Sequence, residues 1–479
     1  MARMHPAAAR INPPHPKPVS HRSLEWGRGM ADIARLTGRF RKLEKSLEPR
    51  RIKPRSAEQI SEVLLDRRRF PSPVRPVGAN SNATRCTSVH GGTVLDMSEM
   101  NKLIHLDKKS VTVQAGMRLR DLVRILADRD LELLASEEQL DRTIGGVISS
   151  ASLFCGTAID DPNLAASVLG IGLVTPNGRN MDFDTSTPEM LQVLRQSYGL
   201  MGVVHTVSLR IRRRSQYTVR HGKIGFAELA KLLPGLADAK AGVKIYLLPF
   251  RDRAFVELRE ADGKGGKPRA RAWRARDWLA NKLLPELLHL LRKVPGRRFR
   301  DPLIDGFSEA TQALINTRLV DAGSNAVEQT GKFRRIGPTA RTRSCTWVFP
   351  AKQFGAALYS YREYCRRHYK TSGFRCDLPA LAYRLLPDQG SLLSPSFEGP
   401  VFALSLRTTV TEGWEDFLID FGAIASRFGG IPLLNYTRGV PPARVKQAYG
   451  SRLEKFCRLR EQMDPQNRLL NQFFTEHLG

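Results

Sequence analysis

Three short segments constrain this chain more than anything else in it. They are Pro76-Val-Gly-Ala-Asn-Ser-Asn-Ala-Thr84, Thr143-Ile-Gly-Gly-Val-Ile-Ser-Ser150, and Ser197-Tyr-Gly-Leu-Met-Gly-Val-Val204. Each sets glycines and small polar residues beside a strand-like run. Glycine lets backbone approach a ligand closely, and clustered N–H groups in such a turn form a concavity that holds anions. Singly, the first segment also reads as an ordinary surface turn and the second as a buried glycine-rich strand, and the third is a glycine-punctuated entry into a strand. Their order along one chain is what narrows the choice.

Around these turns strands and helices alternate. Ser56 is a natural N-cap before apolar positions at 57, 60, 63 and 64, so a helix is predicted over residues 57–66, and residues 118–129 read as an amphipathic helix. Residues 93–97, 110–115, 168–174, 181–183 and 203–211 read as strands, with Asn177-Gly178 as a hairpin turn. Beyond residue 215, strands are predicted at 243–248, 254–258, 345–349 and 401–406, a helix at 352–368, and one continuous helix at 442–463. Residues 273–293 carry Trp278 and a run of leucines on one broad face with basic flanks; this face either packs inside or lies on a membrane.

A chain of 479 residues is long enough for two or more domains. Its 76 Lys and Arg against 47 Asp and Glu give a net charge of +29, which attracts nucleic acid, anionic lipid or phosphorylated ligands. The basic clusters lack interleaved aromatics, so nucleic acid is the weaker partner. No run has the ~20 apolar residues of a membrane helix. The six cysteines form no CxxC pair and no metal-ligand array, which points to reduced thiols in a cytoplasmic protein with no metal. Residues 1–17 have no apolar core of a secretory signal and read as part of a basic, disordered arm over 1–48.

Taken in order, the three glycine segments resemble the flavin-binding domain of the vanillyl-alcohol oxidase and p-cresol methylhydroxylase superfamily. The approach Pro54-Arg-Ser-Ala-Glu-Gln-Ile, the strand-like Val94-Leu-Asp-Met and the segment Val113-Gln-Ala-Gly-Met-Arg-Leu-Arg-Asp-Leu carry the same resemblance. The second half resembles, more weakly, the branch of sugar-lactone (arabinonolactone and gulonolactone) and alditol oxidases. There the matching pieces are Tyr246-Leu-Leu-Pro-Phe, Ala382-Tyr-Arg384 before Leu393-Ser-Pro, Asn435-Tyr-Thr-Arg438, and Asp464-Pro followed by Asn471.

The resemblance implies an α+β fold: a two-part FAD-binding domain over 49–213, an inserted α+β substrate (cap) domain over 214–435, and a segment 436–479 returning to the FAD site. It implies that FAD contacts Val77, Gly78, Ala79, Asn80, Ser81 and Asn82 in the first turn. Thr143, Ile144, Gly145, Gly146, Ser149 and Ser150 follow in the second, then Gly202, Val203 and Val204, and Asn471 in the tail. Ser81 stands where many relatives carry the histidine that bonds to the flavin, so FAD is expected to be noncovalent. The expected catalytic residues are Arg384 and Arg438, as fixed cations beside the flavin, and Tyr436, which faces the substrate or packs.

Departures accompany the matches: Ala382 replaces a glutamate, and Asn435 and Arg438 replace a histidine and a lysine. No clear general base emerges. His205 reads as structural, Asp377 and Asp388 remain candidates, and Cys155 is either an inert thiol or a second flavin attachment. The implied activity is FAD-dependent oxidation of a CH–OH group of a sugar-derived, aldonolactone or lipid-linked substrate by a cytoplasmic protein. An anionic membrane surface, on a membrane's inner face, is a further candidate partner. The alternative is an inactive flavin-fold protein acting as a basic membrane- or nucleic-acid-binding module.

Overall fold

The computed structural model describes residues 48–135, 140–152, 163–215, 217–260, 270–318, 326–328 and 342–478. The basic arm over 1–48, save Glu48, and Cys155 lie outside these residues. Three sheets organise the rest. Arg50–Ile52, Thr93–Asp96 and Val74–Val77 pair in parallel, with Thr93–Asp96 in the middle. The second sheet is antiparallel, in the order Leu103–Leu106, Ser110–Gln114, Val203–Arg213, Val168–Val174, Asn180–Asp184, with Leu131–Leu133 also pairing with Val203–Arg213. The third has eight antiparallel strands, with Tyr217–Ile224, Arg253–Glu260, Gly242–Leu248, Ala380–Leu385, Val401–Thr408 and Arg343–Pro350 as its six central members.

Local sequence accounts for these elements. Ser56 caps Ala57–Leu65 by accepting a bond from the Gln59 N–H at 3.4 Å, and Ile60, Val63 and Leu64 are its buried face. In Leu119–Ala127 the buried positions are Leu119, Leu122, Val123 and Leu126, a helical repeat in which each side chain contributes about 1.5–3 kcal/mol of burial. Val111 and Val113 alternate inward between Ser110, Thr112 and Gln114. The hairpin after Val168–Val174 turns at Asn177-Gly178, where Gly178 takes φ +79° and a Cβ would collide with Leu65.

Helices Phe226–Ala237, Ala351–Ser372 and Trp414–Arg427 pack on one face of the eight-stranded sheet. Phe354 stacks on Phe402 with centroids 4.7 Å apart, and a Cβ on Gly422 would sit 3.3 Å from Trp347. The helix expected over 442–463 is two helices, Pro442–Tyr449 and Ser451–Met463, because Gly450 at φ +51° breaks the hydrogen-bond ladder.

The single leucine face expected over 273–293 is also divided. A π-helical turn, Leu279–Leu283, separates Ala270–Trp278 from Leu284–Leu291, and its wider turn rotates the second helix against the first. Trp273 packs against Val219, and Leu284 and Leu288 pack with Ile304 and Leu378, whereas Trp278, Leu283 and Leu290 stay exposed.

The tail folds back onto the start of the described chain. The buried Arg468 guanidinium donates to the Val63 and Leu64 carbonyls that end the first helix, and to Ser72 Oγ. Asp464 accepts from the Arg468 and Leu469 N–H groups, and the Val74 N–H donates to the Arg468 carbonyl.

Candidate active site

A cleft opens where the three glycine segments meet. Val77, Gly78, Ala79, Asn80, Ser81 and Asn82 line it from the first turn; Thr143, Gly145, Gly146, Ser149 and Ser150 from the second; Gly202 and Val204 from the third. The turns touch closely enough to require glycine. A Cβ on Gly78 would lie 2.0 Å from Thr143 Oγ1, and one on Gly145 would lie 2.9 Å from the Ala115 Cβ. Thr143 caps the short helix Ile144–Ile148 by accepting from the Gly146 N–H at 3.3 Å.

Three expected cofactor contacts sit elsewhere. Ile144 is fully buried core, and Val203 packs in the cluster beneath the first turn with Val74 and Leu469. Asn471 donates to the Cys86 and Ser88 carbonyls at 3.1 and 2.9 Å and accepts from the Phe474 N–H, so it clamps the loop behind the first turn instead of facing the cleft.

The expected cations are also placed differently. Arg384 points to the helix-covered face of its sheet and donates to the carbonyls of Ala237, Ala239 and Ala241, at and just after the end of Phe226–Ala237. It is a helix-end clamp, because the register sends Ala382 and Arg384 to that face and Tyr383 to the other. Arg438 donates from Nε to the Ala83 carbonyl at 2.6 Å and pairs with the exposed Glu415 at 3.2 Å, tethering the chain that leaves the first turn.

Two other arginines line the cleft. Arg142, buried, donates to the Gly146 carbonyl at 3.0 Å, to Ser150 Oγ at 2.6 Å, and to the hydroxyl of Tyr436 at 3.2 Å. Tyr436 is therefore held by the residue just before the second glycine segment, and is buried behind Arg142 without itself lining the cleft. Arg75, 2% exposed, donates to the carbonyls of Gly199, Leu469, Cys86 and Tyr198. Its Nε has no partner, and burial lowers its pKa to about 10. An arginine inside an otherwise apolar parallel strand was the signal for Arg75; Arg142 offered none beyond its place beside Thr143.

The candidate bases are engaged structurally. Asp377 accepts from Thr408 Oγ1 and from the N–H and hydroxyl of Thr409, and Asp388 accepts from Asn163, Gln196 and the Gly390 N–H. His205 shares a 2.8 Å bond with Asn180, and burial lowers its pKa. Cys86 lines the cleft, but burial raises its pKa. Among the described residues that line the cleft there is no carboxylate and no histidine.

These residues fit FAD. The glycine cradle admits backbone close to a diphosphate, and Arg75 supplies a buried cation bonded only to neutral carbonyls.

Comparison with known proteins agrees. Residues 49–184 match the FAD binding domain family, and residues 207–477, over half of the chain, match the D-arabinono-1,4-lactone oxidase family. The chain is 35% identical to L-gulonolactone oxidase of Bos taurus over 162 residues, a match spanning 33% of this chain and 36% of that one. It is 21% identical to L-gulono-1,4-lactone dehydrogenase of Mycobacterium tuberculosis over 434 residues, spanning 89% and 95% of the two chains. The structure of cholesterol oxidase from Brevibacterium sterolicum superposes with a TM-score of 0.72 at 14% identity, covering 90% of this chain and 94% of that one, a likeness of fold. With the glycine cleft at the head of the chain and the lactone-oxidase match across the rest, this chain belongs to the D-arabinono-1,4-lactone oxidase family, and is an FAD-dependent oxidoreductase.

Proposed function

We propose that the protein oxidises a CH–OH group of an aldonolactone, with FAD held noncovalently in the three-turn cleft. The observation that carries this is the meeting of Gly78, Thr143 and Gly145 beside the buried Arg75. The names of the relatives, lactone oxidases and dehydrogenases, supply the substrate class. FAD, when bound, would supply the hydride acceptor. The chain's part is to bind and orient. The first two turns offer backbone N–H groups, and Ser81, the residue in the histidine position, cannot form a bond to the flavin. Arg142 is a fixed cation on the cleft wall, worth roughly 2–4 kcal/mol if it faces charge developing in the transition state. Tyr436, whose hydroxyl accepts from Arg142 at 3.2 Å, is the aromatic residue this reading assigns to the substrate side.

The domain division follows the same reading: 49–213 and 436–479 hold FAD, and 214–435 form the cap. Bonds from Arg75 to the Leu469 carbonyl and from Asn471 to the Cys86 and Ser88 carbonyls support it. No helix among the described residues is long and apolar enough to cross a membrane. The reading keeps the protein in the cytoplasm, with a membrane surface as candidate partner.

The test is anaerobic mixing of the purified yellow protein with L-gulono-1,4-lactone and D-arabinono-1,4-lactone, followed at the flavin absorbance, then admission of air. Bleaching supports the reading, and recovery in air separates an oxidase from a dehydrogenase. A protein that holds FAD yet bleaches with no lactone would leave the inactive alternative standing. Arg142→Met should slow the reduction by about 10²–10³-fold while FAD stays bound.

A further inference from the structure

The helix Arg297–Ala313 is inside out. Asp301, Ser308 and Gln312 are buried, with Ile304 the apolar residue among them, while Phe299, Leu303 and Phe307 are 76%, 45% and 42% exposed. At about 100° per residue these three, with the exposed Leu314 just past the helix, fall within roughly 80° of arc. They form a stripe. The helix is fixed this way round by its polar face: Asp301 accepts from the Tyr369 hydroxyl, Asp305 pairs with Arg375, and Glu309 pairs with Lys223 at 2.8 Å and Arg251 at 2.9 Å. It cannot roll its phenylalanines inward without breaking these bonds.

The neighbouring segment adds Trp278, Leu283 and Leu290, all exposed. Half of the fourteen large apolar side chains exposed among the described residues lie between 278 and 314. An apolar concentration of this kind marks a binding surface. The joint between Leu284–Leu291 and Arg297–Ala313 is basic: Arg292, Lys293, Arg297, Arg298 and Arg300 fall within nine residues, and no acid stands between Leu287 and Arg300. Arg292 and Arg300 reach Asp377 and Asp301, while Lys293, Arg297 and Arg298 are exposed.

We propose that this helical pair is a docking surface for an anionic lipid bilayer, with Phe299, Leu303 and Phe307 entering the headgroup boundary and the basic joint seated on lipid phosphates. An apolar stripe beside a basic cluster is the pattern of interfacial helices, and basic residues near an anionic surface add to the attraction. Charge complementarity selects lipid over a second copy of the chain. Two copies paired through this face would set like-charged joints together, in a protein already at +29. This surface is independent of the substrate reading.

The test is sedimentation of the full-length holoprotein with phosphatidylglycerol vesicles and with phosphatidylcholine vesicles. The wild type should sediment with the anionic vesicles at low salt and be released by added salt. The variant Phe299→Ser/Leu303→Ser/Phe307→Ser should keep its flavin spectrum and lose at least about tenfold in its bound-to-free ratio. Should the triple variant fail to hold flavin, Phe299→Glu at the most exposed position reads the same loss. The proposal is overturned if the wild type stays in solution with anionic vesicles, or if the flavin-bound variants sediment equally, since charge elsewhere would then carry binding. A dimer by light scattering that the substitutions dissolve would also overturn it, the stripe then being a contact between copies.

Discussion

Arg75→Leu is the substitution that separates a structural from a ligand-binding role at the base of the cleft. The Arg75 guanidinium donates to four carbonyls that belong to three stretches of chain: Cys86 after the first turn, Tyr198 and Gly199 in the third segment, and Leu469 in the tail. Bonds from a charged donor are worth about 1.5–3 kcal/mol each, but four on one group do not add. Truncation also relieves the cost of burying a cation, so the net loss should be about 3–5 kcal/mol, the range for breaking a buried charged contact. That is a large share of a typical 5–15 kcal/mol. If the cation also balances the FAD diphosphate, apparent affinity for FAD should fall further, by roughly 30–150-fold for ~2–3 kcal/mol. Arg75→Lys distinguishes the two contributions. It restores the charge and not the fork, so it should recover most of the FAD affinity and little of the melting temperature of the apoprotein. The assays are flavin fluorescence on titrating apoprotein with FAD, and thermal unfolding with and without it. Equal FAD affinity in wild type and Arg75→Leu, or equal loss in Arg75→Leu and Arg75→Lys, would refute the counterion role.

Gly78→Ala should lower FAD occupancy and cost about 1–3 kcal/mol, because its Cβ meets Thr143 Oγ1 at 2.0 Å; adding Thr143→Ala should recover part of the colour. Acid precipitation should release all the flavin, and colour left in the pellet would refute noncovalent binding. His205 is buried with its pKa held below the usual 6.5, so its stabilising share is full above that value and declines as pH falls through it. Melting curves from pH 7.5 to about pH 5 should therefore slope less in His205→Gln than in wild type, and identical slopes would reject the assignment. Arg384→Met should lower the melting temperature and leave the flavin spectrum of the folded fraction unchanged, since it donates to the Ala237, Ala239 and Ala241 carbonyls around the end of Phe226–Ala237; a changed spectrum in stably folded protein would return it to the flavin site.

What the sequence disclosed depended on how local each requirement is. Gly78, Gly145 and Gly202 are needed wherever two backbones and a ligand converge, so small residues in the right order marked the cleft before any packing was known. Ser56, the 119–126 repeat and Asn177-Gly178 likewise carry their geometry within a few residues. Arg384 and Arg438 illustrate the limit. A motif can place an arginine on a strand, but the face it takes depends on register with strands far along the chain, here one that pairs Ala382 with Ile245 and Leu404. The inverted helix was hidden for a related reason. Periodicity makes Arg297–Ala313 amphipathic, yet only the positions of Tyr369, Arg375, Lys223 and Arg251 decide that its polar side turns inward.

The clamp formed by the tail has a temporal meaning. Arg75 bonds to Leu469 across 394 residues, Asn471 to Cys86 across 385, and Arg468 to Leu64 across 404. During synthesis the three glycine turns emerge early, but the walls that hold them in place follow several hundred residues later. Contacts of such separation form slowly. The first sheet must wait, with its apolar underside open to chaperones or to misassociation, until the stretch around Asp464 leaves the ribosome. Cofactor capture is then a late event, and nascent chains stalled before Arg468 should be colourless however complete their glycine turns.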